Sequence, residues 1–242
     1  MNKHAIILAA GKGTRMHIDG PKCAVEICGK AMAQHIVDSL KENKIDDIVL
    51  VVGYKKEEME KAITTPVKFA IQETLDGTAH ACLVAKDKLS SLDGLTLVFP
   101  GDVPFIGTKL IKDIVDYHNN NNNDLTVVTT ILDDAKAYGR IYRERGKFKR
   151  IVEFKDCTEE QKKIKEINVG FYCVKTNLLF DAINKVKNNN NQHEYYLTDI
   201  VEIMAKDYNI DAYIVKNDYH IIGINDIETK ELVERLYLED HK

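Results

Sequence analysis

No apolar run in the 242 residues is longer than a β-strand, so the sequence predicts no membrane span. Its start has neither the basic opening nor the long apolar stretch of a secretion signal. Cysteine offers no framework: Cys23, Cys28, Cys82, Cys157 and Cys173 are odd in number, form no C-x-x-C and meet no histidine at zinc spacing. Reduced thiols in a cytoplasmic protein are the simplest expectation. An excess of positive charge is missing too. The formal net charge is −4 with 30% charged residues, which leaves no basic face for nucleic acid, and neither nucleic acid nor a membrane is an expected partner. No internal repeat and no convincing linker breaks the chain. The length suits one α/β domain over 1–242, with a nucleotide-binding half to about residue 110 and a sugar-facing half over about 111–242.

What is present is concentrated in Leu8-Ala-Ala-Gly-Lys-Gly-Thr-Arg-Met16, continued at Pro21-Lys22. The apolar run His4 to Ala10 before it suits a strand buried on both faces of a parallel sheet. Gly11 and Gly13 then let the backbone take positive φ and let a polyphosphate approach the amide N–H groups. Lys12, Arg15 and Lys22 supply three cations around the same loop. Two common cradles are excluded by what is absent. A dinucleotide fingerprint needs a third glycine where Met16 stands, and no stretch has the P-loop spacing.

Down the chain, helical spacing over Gly29 to Asn43 precedes a buried strand at Asp47 to Gly53, then a short helix at Lys55 to Ile63 and a strand at Val67 to Gln72. Glu73 to Thr78 is a loop, Ala79 to Lys86 a helix, and Leu95 to Phe99 a strand that runs into Pro100-Gly-Asp-Val-Pro104. This alternation predicts a doubly wound, Rossmann-like sheet with ligands at the carboxyl ends of its strands. The second half predicts a helix at Thr108 to His118 and a strand at Leu125 to Leu132. A hairpin of Arg140 to Arg143 with Lys147 to Phe154 follows, so the sheet is expected to be mixed but mainly parallel, flanked by helices. A capping box at Thr158 to Gln161, a strand at Asn168 to Val174, a helix at Thr198 to Tyr208, a strand at Ala212 to Val215 and a helix at Asp226 to Leu238 complete the order. The asparagine runs Asn119 to Asn123 and Asn188 to Asn191 have no apolar face and read as exposed loops.

Asp102 follows a buried strand and Gly101, a position that suits either a turn or a ligand at the sheet edge. Asn225 precedes Asp226 and Glu228, which suits a helix N-cap as well as a ligand. A hard cation such as Mg²⁺ needs only one or two protein oxygens beside phosphates and water, so this pair would suffice.

The motifs form a series: Leu8 to Met16, Pro21-Lys22, Gln72 with Gly77-Thr78, Gly101 to Pro104, Tyr138-Gly-Arg-Ile141, Ile151-Val-Glu153 with Lys155-Asp156, Glu166 to Gly170, Glu194 to Asp199 and Gly223-Ile-Asn225. In order and spacing it resembles the uridyltransferase domain of the bacterial bifunctional N-acetylglucosamine-1-phosphate uridyltransferase/glucosamine-1-phosphate acetyltransferase, within the nucleotide-sugar pyrophosphorylases. The resemblance implies a fold of the nucleotide-diphospho-sugar transferase type. It implies UTP and N-acetylglucosamine 1-phosphate as substrates, UDP-N-acetylglucosamine and pyrophosphate as products, and Mg²⁺ as cofactor. It further implies that Leu8, Ala9 and Gly11 hold the nucleotide, Gln72, Gly77 and Thr78 select uracil, Gly139, Glu153 and Asn168 hold the sugar, Arg15 and Lys22 act on the phosphates, and Asp102 with Asn225 bind the metal. Hexapeptide repeats are absent, so acetyl transfer is not expected from these residues. Pro100 stands where the family usually has an aromatic residue, and Cys23 beside Lys22 reads as packing, since the reaction requires no thiol. Rival readings are the same chemistry on another pair, such as dTTP with glucose 1-phosphate, or a catalytically silent subunit that binds a nucleotide sugar.

Overall fold

The computed structural model describes residues 1–242 except Thr14, Arg15, His17 and Asn217. In chain order the first half holds β1 (Lys3–Leu8), β2 (Glu26–Ile27), β3 (Lys30–Ala31), α1 (Met32–Glu42), β4 (Asp47–Val52), α2 (Lys56–Ala62), β5 (Lys68–Ile71), α3 (Thr78–Ala85) and β6 (Leu95–Pro100). The second holds α4 (Gly107–Asn120), β7 (Leu125–Ile131), β8 (Arg140–Glu144), β9 (Lys147–Val152), α5 (Glu159–Lys162), β10 (Glu166–Lys175), α6 (Thr176–Ile183), α7 (Asp199–Met204), β11 (Ile210–Ile214) and α8 (Ile227–Asp240).

The main sheet runs β11-β7-β10-β6-β1-β4-β5, with β8 and β9 attached beside β10. Along that path the strands pair in parallel except at β10, which runs antiparallel to both β6 and β7; the attached β8 pairs antiparallel with β10 and β9. This reversal gathers the site. The carboxyl ends of β1, β4, β5, β6 and β7 share one edge with the amino end of β10, so loops from both halves of the chain emerge together.

β1 shows why the sheet is central. Ala5, Ile7 and Ala9 pack toward Ile36, Val37 and Leu40 of α1, while Ile6 and Ala10 face Cys82 of α3 and Leu179 and Phe180 of α6. Helices cover both faces, which is why the strand reads as an unbroken apolar run. Each such buried isoleucine stabilises the fold by about 1.5–3 kcal/mol before entropy is counted. Among the described residues no helix is long and apolar enough to cross a membrane.

Three expectations change. The stretch from Gly29 to Asn43 is not one helix: β2 and β3 form a hairpin whose turn residues Cys28 and Gly29 both have positive φ, and α1 begins only at Met32. α6 was not anticipated: Thr176 to Ile183 is amphipathic, with Asn177 and Asp181 exposed opposite Leu179, Phe180 and Ile183, but its eight residues span little more than two turns, too short a window for the period to stand out. The first asparagine run is not simply an exposed loop. Asn119 and Asn120 end α4, and Asn123 is 2% exposed, donating to Thr126 Oγ1 and accepting from Asn209. In the second run Asn190 accepts from the Gln192 and Glu194 amides, shaping the approach to Tyr195. The hairpin β8–β9 and the capping box of Thr158 with Gln161 are as expected.

Arg140 deserves its motif for a structural reason. Its guanidinium is buried and donates to the carbonyls of Ala135, Lys136, Tyr138 and Lys162, tying down the loop that carries Gly139. Arg140→Met leaves those acceptors without their donor and is expected to cost about 3 kcal/mol of stability. Urea unfolding checks this, and a midpoint equal to wild type contradicts it.

Candidate nucleotide and sugar site

Leu8 to Gly13 leave β1 at the gathered edge. Gly13 has φ +63°, and a Cβ there would stand 2.5 Å from Lys22 Cβ, so the loop folds over Lys22 only because no side chain intervenes. Gly101 is equally confined. Its N–H donates to the Leu8 carbonyl at 2.9 Å, and an added Cβ would lie 2.8 Å from that oxygen and 2.9 Å from Cys23 Sγ. β1 and β6 can therefore turn outward side by side, bringing Asp102 next to Lys22.

The Lys22 ammonium donates to Asp102 Oδ2 and, at 2.8 Å, to Asn225 Oδ1. Main chain reinforces the meeting, since the Ile224 N–H donates to the Asp102 carbonyl at 2.8 Å. Of the two readings of Asn225, the cap does not hold: Asp226 is the N-cap of α8, accepting from the Thr229 amide. Two hard oxygens thus converge on one cation, the donor set that suits Mg²⁺ when phosphate and water complete its shell. Among the described residues no group of three or more His, Cys, Asp or Glu side chains could hold a metal by itself. Cys23 is buried beneath this point, and burial first, then the Asp102 carboxylate, pushes its thiol up to about 12. It is packing and not a nucleophile. Lys12 is exposed, with its ammonium 5.4 Å from the Tyr54 ring centre, and Arg15 lies outside the described residues.

A second group follows β5. Gln72 is 4% exposed, and its amide nitrogen donates to the Gly77 carbonyl at 3.1 Å. Gly77 has φ +109°, and a Cβ there would lie 2.5 Å from the Tyr195 carbonyl oxygen. The two segments are laced together: Tyr195 N–H donates to Asp76 O, Ala79 N–H to Tyr195 O, and Leu197 N–H to Thr78 Oγ1. Tyr195 is exposed while Tyr196 is buried.

The third group joins Gly139, Glu153 and Asn168. The Asn168 N–H donates to the Gly139 carbonyl at 2.9 Å, and Glu153 Oε2 lies 3.4 Å from where a Gly139 Cβ would be. Asn168 opens a bulge in β10: its Oδ1 accepts from Gly170 N–H and its Nδ2 donates to Tyr172 Oη, each at 2.9 Å. Gly170, at φ +91°, faces Pro100, whose Cγ would be 3.2 Å from a Cβ there. Glu153 accepts from Thr198 Oγ1 at 3.0 Å, and burial raises its carboxyl above the usual range. Burial likewise pushes Asp199 up to about 6. Thr198 and Tyr172 were missed as site residues. Thr198 belonged to a motif that carried no role, and Tyr172 reads only as strand core.

Fold and site together define a nucleotidyl transferase. The family model described as nucleotidyl transferase matches residues 4–228, and the chain belongs to that family. It is 43% identical over 242 residues to the bifunctional protein GlmU of Acholeplasma laidlawii, covering all of this chain and 52% of the relative. It is also 44% identical over 228 residues to the GlmU of Clostridium novyi, covering 93% of this chain and 50% of the relative. The chain spans about half the length of the curated relatives it matches. A crystal structure of UDP-glucose pyrophosphorylase complexed with UDP-glucose shares the fold, with a TM-score of 0.80 at 20% identity, over 99% of this chain and 100% of that one.

With the cap assigned to Asp226, the two neighbours separate by experiment. Asp226→Ala should cost about 1 kcal/mol of stability, and Asn225→Ser should cost less. Thermal melts of both variants check the order, and a larger loss at Asn225 contradicts it.

Proposed function

We propose that this chain transfers the uridylyl group of UTP to N-acetylglucosamine 1-phosphate, releasing pyrophosphate and forming UDP-N-acetylglucosamine, in the cytoplasm and with Mg²⁺ as cofactor. The observation that carries the proposal is the convergence of Lys22, Asp102 and Asn225 beneath the Gly11 to Gly13 loop. Identity of 43% to a GlmU over the whole chain supports the choice of substrates.

A phosphate oxygen of the sugar phosphate attacks the α-phosphorus of UTP in line. The bond from that phosphorus to the bridging oxygen breaks, and pyrophosphate leaves with the electron pair. The attacking oxygen is already anionic, so no general base is required. The obstacle is repulsion between two anions, and Lys22, with Lys12, Arg15 and the loop amides, opposes it. Asp102 and Asn225 would hold Mg²⁺, which would supply further positive charge against the phosphates. Leu8, Ala9, Gly11 and Gly13 hold the nucleotide, and Gln72, Gly77 and Thr78 read the base. Gly139, Glu153 and Asn168 take the sugar hydroxyl and acetamido groups. We read residues 1–242 as one functional domain. Asn225 reaches across 203 positions to Lys22, so its nucleotide and sugar halves are not separable at residue 110.

Asp102→Ala should lower turnover about a hundred-fold, on the order of 3 kcal/mol of barrier, while the fold survives, with some loss of melting temperature from the ion pair to Lys22. Pyrophosphate release measured across Mg²⁺ concentrations checks it, and an active variant with wild-type metal dependence contradicts the ligand role. The protein should also prefer N-acetylglucosamine 1-phosphate to glucose 1-phosphate and glucosamine 1-phosphate, because polar groups built for the acetamido arm are left unpaired by the others. Asn168→Ala should depress use of the preferred sugar far more than UTP binding. Comparable kcat/KM for all three sugars would overturn the sugar assignment alone.

A further inference from the structure

The Gln72 side chain ends between two acceptors. Its amide nitrogen lies 3.1 Å from the Gly77 carbonyl oxygen and 3.3 Å from Nδ1 of His80, in the first turn of α3. A carbonyl oxygen can only accept, so the atom facing Gly77 must be the NH2 of the amide. That NH2 has a second hydrogen, and His80 Nδ1 takes it when the neutral imidazole keeps its proton on Nε2. Asp76 Oδ2 is also near this ring nitrogen, at 3.8 Å, beyond hydrogen-bond reach, and it accepts from Thr74 Oγ1 at 2.5 Å. Gln72 Oε1 takes no hydrogen bond from a described residue and is not a sealed, unpartnered atom. It is the amide's available edge.

We propose that His80 is a positioning residue for base choice: by accepting from the Gln72 amide it holds the oxygen outward, and so favours uracil over cytosine. The inference rests on the uridylyl-transfer reading and adds to it a residue that does not touch the base. An amide rotates about its last torsion between two nearly equal shapes, and the rotation exchanges an acceptor for a donor. Uracil offers a donor at N3, which an outward oxygen accepts. Cytosine offers an acceptor at N3, which the same oxygen repels. An unanchored glutamine turns its NH2 outward and takes cytosine as well. Gly77 alone supplies one anchor, on a loop strapped to Tyr195. His80 supplies the second, on a helix.

The test is kcat/KM for UTP and for CTP at fixed N-acetylglucosamine 1-phosphate, with calorimetric binding of each nucleotide and a thermal melt for every variant. Wild type should prefer UTP. His80→Ala and His80→Leu should lower the UTP/CTP ratio about tenfold or more, in binding as well as in turnover, with the melting temperature retained. His80→Asn places an amide oxygen near the lost Nδ1 and should restore the ratio. An unchanged ratio in the Ala and Leu variants overturns the proposal, as does an Asn variant no better than Ala. A wild type without preference for UTP overturns the uracil reading as well. A wild type that prefers UTP, beside variants that do so equally, removes His80 and leaves uridylyl transfer standing.

Discussion

The Lys22 ammonium, held between a carboxylate and an amide oxygen, is the contact on which the arrangement of the site depends. It joins the loop after β1, the loop after β6 and the segment before α8. A partly buried lysine without such partners would be a costly charge to enclose. With them it keeps two oxygens on one point at the edge of the sheet, and the Gly11 to Gly13 loop can lie directly against it. Gly13 and Gly101 matter for the same reason, since a side chain at either would push these segments apart.

Much of this was legible, because the relevant signals are local. The apolar run of β1, the glycines after it and the Thr158 capping box each state their structure within a few residues. The asymmetric burial of α1, with Ile36, Val37 and Leu40 inward, is likewise a periodic signal, although its start was misread. β2 and β3 have two residues each, too few to show a period, and their turn depends on Cys28 accepting positive φ. A β-hairpin that short announces itself only through neighbours such as Glu234, which accepts from the Cys28 amide.

The site's missing members were invisible for a different reason. Thr198 meets Glu153 across 45 positions, and Tyr172 meets Asn168 only because a bulge interrupts the strand between them. A single sequence shows that these residues exist without showing that they face one another. Asn225 is the converse case. Locally it is a good cap, and only the neighbouring Asp226, already bonded to Thr229, frees it for a long-range partner. The asparagine runs make the same point, since composition marks them as loop while Asn123 and Asn190 organise the chain around them.

The strap between Asp76–Ala79 and Tyr195–Leu197 has one further consequence. Two of its bonds join main chain to main chain, and the third needs only a hydroxyl at Thr78. Such a seam is indifferent to what the side chains along it become. Tyr195 can be exchanged without unstitching the Gln72 to Thr78 loop from the segment that leads to Thr198, provided that Gly77 stays a glycine. The architecture therefore behaves like a frame with replaceable panels, in which side chains on either side of the seam can be exchanged one at a time while the main chain between them stays closed.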